Sequence, residues 1–139
     1  MSDLADLPLA HSYPAVADSV PRARRALARL ASACGAAAEQ SDAVRLAVSE
    51  AMTGAVLRAA GARRRISVSA AVAAGQLAVS IADDGPGGGP LPPAACGTSA
   101  SLRLALIAHH ADGLAIARQP AGGTNLQMRF GLRGVSPRR

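Results

Sequence analysis

Apolar positions along the chain recur with two different periods, and the places where the period changes mark out the elements. Val20, Leu27, Leu30 and Ala31 fall at helical spacing after Ser19 and Pro21, which signal a helix start, and the run ends near Gly35. A second start signal at Ser41 opens a run in which Val44, Val48, Ala51, Met52 and Ala55 lie close to one stripe. That stripe is expected to face a sheet. Ala47, Glu50, Gly54 and Arg58 share an adjacent face of the same helix, because residues three and four apart stack above one another. From Ile66 the period changes to two. Ile66, Val68, Ala70 and Val72, then Leu77, Val79 and Ile81, read as a hairpin around Ala74-Gly75. The second strand runs into Asp83-Asp84-Gly85-Pro86-Gly87-Gly88-Gly89-Pro90, too rich in Gly and Pro to continue a ladder, and this loop extends to about Thr98. Ser99 or Ser101 then offers a cap for a third helix through Leu102, Leu104, Leu106, Ile107 and Ala108. Leu114 to Ala117 and Asn125 to Phe130 read as a closing strand pair around a turn at Gln119 to Gly123.

The expected order is strand, two helices, two strands, a glycine-rich loop, one helix, two strands. Its economical packing is a two-layer α/β sandwich, with about three helices on one face of a mixed, mainly antiparallel sheet of about five strands. One domain spanning 1–139 is expected, with a core from about 7 to 132 and a frayed tail over 133–139.

Composition narrows the function classes. Half the residues are apolar, yet there is one Phe, one Tyr and no Trp, so the core must be built from small aliphatics. The same shortage counts against single-stranded nucleic-acid binding, which stacks bases on aromatic rings. The net charge of +6 comes wholly from Arg, which excludes any mechanism that needs a lysine. Positive charge alone neutralises phosphates without specifying sequence, and no recognition helix is apparent, so DNA is not expected as the main partner. Arg63, Arg64 and Arg65 form the densest basic cluster. They read either as a solvated connection between helix and strand or as a contact for phosphate or an acidic protein surface. Cys34 and Cys96 lack disulfide-framework or zinc spacing. The start MSDLADLPLA lacks the pattern of a signal peptide, and no apolar run is long enough to span a bilayer. A cytoplasmic protein without a membrane partner is expected.

Three segments carry candidate chemistry in a fixed order. The first is Leu46-Ala47-Val48-Ser49-Glu50-Ala51-Met52-Thr53-Gly54-Ala55-Val56, the second Ile81-Ala82-Asp83-Asp84-Gly85-Pro86-Gly87, and the third Gly122-Gly123-Thr124. A carboxylate at a strand end accepts hydrogen bonds, although Asp83 also reads as an ordinary turn aspartate. Gly85 and Gly87 allow close approach to a flat ligand or simply form a surface loop. Thr124 offers a hydroxyl at a strand start, where a β-branched residue is equally good strand chemistry. Glu50 reads as a proton acceptor or as a surface glutamate paired with Arg45 or Arg58.

The ordered set resembles the ATP-binding module of the GHKL superfamily, most closely the anti-sigma-factor serine kinases, over roughly Leu7 to Leu132. The resemblance implies the Bergerat ATPase fold and an ATP or ADP site with magnesium. In it Asp83 meets the adenine amine, Gly85, Gly87 and Gly97 flank the nucleotide, Thr124 contacts it, and Glu50 is the catalytic base. It also implies a sigma factor or its antagonist as partner, and a homodimer.

The sequence departs from that pattern at two places. Gly54 stands where the family has its magnesium-binding asparagine, and glycine supplies no side-chain oxygen. The characteristic lid glycines correspond to Ser99, Ser101 and Arg103, while Gly97 remains upstream but out of register. Side chains there restrict the wrapping of amides around phosphates, although the serine hydroxyls and Arg103 can still touch an anion. Phosphate binding is therefore expected to suffer more than adenine binding, and changing Gly54 to Asn to strengthen ATP binding or magnesium dependence. No metal site is expected at His109 and His110, which point different ways from adjacent helix positions. Two readings follow: a working serine kinase that uses ATP, magnesium and Glu50, or a binding module that keeps the fold without catalysis. A histidine-kinase fragment is less expected, since no phospho-accepting helical segment precedes these motifs.

Overall fold

In a computed structural model, residues 9–59, 61–84, 98–120 and 122–132 are described. The elements run β1 (Leu9–Ala15), α1 (Ser19–Ala33), α2 (Ala38–Ala59), β2 (Gly61–Ala73), β3 (Gln76–Asp83), α3 (Thr98–His110), β4 (Gly113–Arg118) and β5 (Thr124–Gly131). The strands form one sheet in the order β1-β2-β3-β5-β4, and every pairing among the described residues is antiparallel. The expected α/β sandwich is the fold observed, consistent with the Bergerat topology.

Period-two patterning decides which face of the sheet is covered. Ile66, Val68 and Ala70 of β2, Leu77, Val79 and Ile81 of β3, and Leu126, Met128 and Phe130 of β5 are all buried. Between them Ser67, Ala78, Gln127 and Arg129 face solvent, so one face is hydrophobic and the other is open. The helix stripe predicted to meet that face does so, with Val44, Val48, Ala51, Met52 and Ala55 buried in the same core. Burial of this apolar area is the main stabilising term, on the order of 25 cal/mol per Å².

Several boundaries differ from expectation for local reasons. α2 begins three residues before Ser41. Its start is capped by Gln40, whose Oε1 accepts the Ala37 N–H at 2.7 Å, while Ser41 is buried with its hydroxyl 3.0 Å from that of Ser32 on α1. Ser19 opens α1, yet its hydroxyl donates to the Pro14 carbonyl at 2.6 Å and so ties the helix back to β1. α3 starts at Thr98, which places Ser99 and Ser101 inside the helix, not at its cap.

The Arg63 to Arg65 cluster lies within β2, not in a connection before it. Arg65 donates through Nε and Nη2 to the hydroxyl and carbonyl of Ser12 on β1, at 3.0 and 2.9 Å. Arg64 donates to the Asp84 carbonyl at 3.0 Å. These arginines fasten strands together. No helix among the described residues is long and apolar enough to cross a membrane.

Candidate functional site

Asp83 is the last residue of β3, and its position follows from strand phase. It continues the inward set Leu77, Val79 and Ile81, so its carboxylate points into the core and the residue is only 2% exposed. A carboxylate buried this far requires a charged or hydrogen-bonding partner. Arg58 of α2 is one, donating from Nε to Oδ2 at 3.0 Å, with its own side chain about a third exposed. The Asp83 main chain is held as well, because Gln119 Nε2 donates to its carbonyl at 3.1 Å.

The start of β5 closes against the same residue. In the β3/β5 ladder Ala82 pairs with Asn125, so one step further on Thr124 lies beside Asp83. Thr124 is buried. Gly123 before it has φ +93°, and a side chain there would run into the Asp83 carbonyl. The second and third sequence motifs thus meet at Asp83.

α2, which carries the first motif, reaches the site through Gly54 and, one helical turn on, Arg58. Gly54 is buried, and the nearest atoms to the point where its Cβ would stand are Arg58 Nη1 at 3.2 Å and Arg103 Nε at 3.6 Å. Two guanidinium groups, one from α2 and one from α3, therefore converge on Gly54, the position that the resemblance aligns with a magnesium-binding asparagine. Magnesium does not fit this arrangement. It requires near-octahedral oxygen ligands, whereas Gly54 supplies no side-chain oxygen and two positive charges stand beside it.

Glu50 is half-buried one turn before Gly54 on α2. Neither arginine considered as its partner holds it: Arg45 pairs with Asp42 at 3.4 Å and Arg58 with Asp83. Gly85, Gly87 and Gly97 lie outside the described residues. His109 and His110 make an edge-on ring contact, centroids 5.0 Å apart, and among the described residues no group of three His, Cys, Asp or Glu is placed to hold a metal.

The family model of the histidine kinase-like ATPase domain matches residues 13–130. The chain belongs to that family. No curated protein matches the chain. Residues 13–130 take in all three motifs, the α2 face carrying Glu50, Gly54 and Arg58, and the arginine of α3. In this member of the histidine kinase-like ATPase family, the buried aspartate at the end of β3 is neutralised from within the chain. Sequence reasoning named Arg58 only as a partner for Glu50. Its pairing with Asp83 was missed because the two residues are 25 positions apart and meet only through the packing of α2 on β3.

Proposed function

We propose that this histidine kinase-like ATPase domain is an anti-sigma-type regulator that controls a sigma factor or its antagonist by binding it, without transferring phosphate. The observation that carries this reading is the Arg58–Asp83 ion pair beside Gly54. The acceptor that would receive the adenine amine is engaged by a guanidinium, and the metal ligand is absent. Phosphoryl transfer depends on metal and fixed charge to position and neutralise the phosphates, so this arrangement disfavours it.

Protein contact is supported by the outer surface of the helices. Leu46 and Leu57 of α2 are 50% and 60% exposed, and Leu102 and Leu106 of α3 are exposed too. At helical spacing Leu46, Glu50, Thr53 and Leu57 share one stripe. Exposed leucines in such a row suit a partner surface, including a second copy of the chain.

The test uses the purified protein with the sigma factors and antagonist proteins encoded in the same genome. Binding is measured by calorimetry with and without ATP and magnesium, and phosphate transfer is followed with labelled ATP. Binding of one partner without transfer of label is expected. Stoichiometric labelling of an antagonist serine would overturn the non-catalytic reading and return Glu50 to the role of base.

A further inference from the structure

The sheet ends differently on its two sides. β1 forms one edge, and it carries Pro14 and a register shift between Pro14 and Ala15, both of which discourage a further strand from adding. β4 forms the other edge, and Gly113–Arg118 contains no proline and pairs with β5 without a shift. We propose that the free edge of β4 pairs antiparallel with β4 of a second copy of the chain, about a two-fold axis at Ala115. This pairing depends on neither the nucleotide site nor a sigma-type partner.

Backbone groups are the first reason. Gln119 N–H donates to the Gly123 carbonyl at 3.0 Å, in the same register that sets Arg118 opposite Thr124. Antiparallel neighbours alternate between hydrogen-bonded and non-hydrogen-bonded pairs. Ala117 and Ala115 therefore bond to β5, whereas Leu114, Ile116 and Arg118 turn their N–H and C=O groups to the free side. Among the described residues those groups have no backbone partner. Leu114 and Ile116 also pack against the core while remaining only partly buried, so an added strand covers apolar surface as well.

Self-complementarity is the second reason, and it selects the occupant. With the axis at Ala115, Leu114 falls opposite Ile116, Gly113 opposite Ala117, and Asp112 opposite Arg118 of the other copy. Leu114 and Ile116 then form hydrogen-bonded pairs that satisfy the free groups of both strands. The two Ala115 residues meet in a non-hydrogen-bonded pair, where side chains come closest and alanine leaves room. Asp112 accepts the Gly131 N–H through Oδ2, which leaves Oδ1 for a cation. The Arg118 guanidinium makes no hydrogen bond or ion pair among the described residues. Opposite charges thus meet at both ends of the ladder, whereas a parallel pairing in register would set Arg118 beside Arg118 and Asp112 beside Asp112.

The experiment is sedimentation of the full chain over a range of concentrations, with amide exchange followed by NMR at both extremes. Dissociation on dilution is expected, because one short strand from each copy buries less surface than a stable dimer needs. The amides of Leu114, Ile116 and Arg118 should lose at least about tenfold protection on dilution, and those of Ala115 and Ala117, bonded to β5, less than about twofold. Arg118→Glu should weaken the dimer about tenfold, since it turns attraction into repulsion at both ends. Ile116→Pro removes an outward N–H without breaking the β4–β5 ladder and should abolish the dimer. Melting temperatures check both folds, and Arg118→Glu decides if the proline variant does not fold. A monomer at every concentration would overturn the pairing, as would a dimer unaffected by Arg118→Glu. A dimer whose Leu114 and Ile116 amides exchange as in the monomer would place the interface elsewhere, such as on the exposed leucines of α2 and α3, and overturn it too. Protection of those amides in the monomer would do the same, since another segment of the chain would then cover the edge. None of these outcomes bears on phosphate transfer or on binding of a sigma factor.

Discussion

Asp83 and Gly123 fit against each other with no room for a side chain between them. The Asp83 carbonyl lies where a Cβ on residue 123 would stand, and Gly123 adopts φ +93°. Glycine is needed twice over, for the conformation and for the close approach.

Gly123→Ala is therefore expected to destabilise the fold by at least about 2 kcal/mol, since both strain and a backbone clash must be relieved. Urea denaturation measures the loss. A change under about 0.5 kcal/mol, the range of ordinary surface substitutions, would show that the β5 start is not fixed by Asp83.

Arg58→Ala leaves the Asp83 carboxylate buried without its guanidinium partner. With Arg58 a third exposed, the expected cost is about 1–3 kcal/mol, below that of a fully buried pair. Adding Asp83→Asn should recover part of it, and the double-mutant cycle gives the coupling directly. Additive effects would mean that the pair contributes no net stability.

Gly54→Asn alone is not expected to create magnesium dependence. The new Cβ would stand 3.2 Å from Arg58 Nη1, and Arg58 would still engage Asp83. Gly54→Asn combined with Arg58→Ala restores a side-chain oxygen and removes the guanidinium from Asp83. ATP titration with and without magnesium should separate the two variants, and a magnesium-dependent single mutant would show that Arg58 does not obstruct the site.

Gln40→Ala is expected to cost about 1–2 kcal/mol, more than a surface glutamine normally would. Gln40 accepts the Ala37 N–H at the α2 start and donates to the Gly131 carbonyl at 2.8 Å. Asp112 accepts the Gly131 N–H at 2.6 Å, so the two side chains hold both polar groups of one β5 residue. Hydrogen exchange should rise at Ala37 and along the end of β5. Unchanged protection at both places would count against the clamp.

The sequence by itself determined the layer architecture. Changes from helical to two-residue periodicity are local, and each buries one face whatever its neighbours, so the alternation at Ile66 to Ala70 and the stripe from Val44 to Ala55 were enough to place helices on a sheet. It also placed Asp83 at a strand end, because the run of Gly and Pro after it cannot continue a ladder. Helix starts were read less well: Ser41 and Ser99 carry cap-like chemistry but lie inside helices, since the first turn is set by groups such as Gln40 that are fixed partly from the sheet. What Asp83, Arg58 and Arg103 do was decided only by tertiary structure. The charge of an arginine is evident in the sequence. Its partner depends on which elements pack together, and here the packing of α2 on β3 brings Arg58 to the buried Asp83 carboxylate, while that of α2 on α3 brings Arg103 beside Gly54.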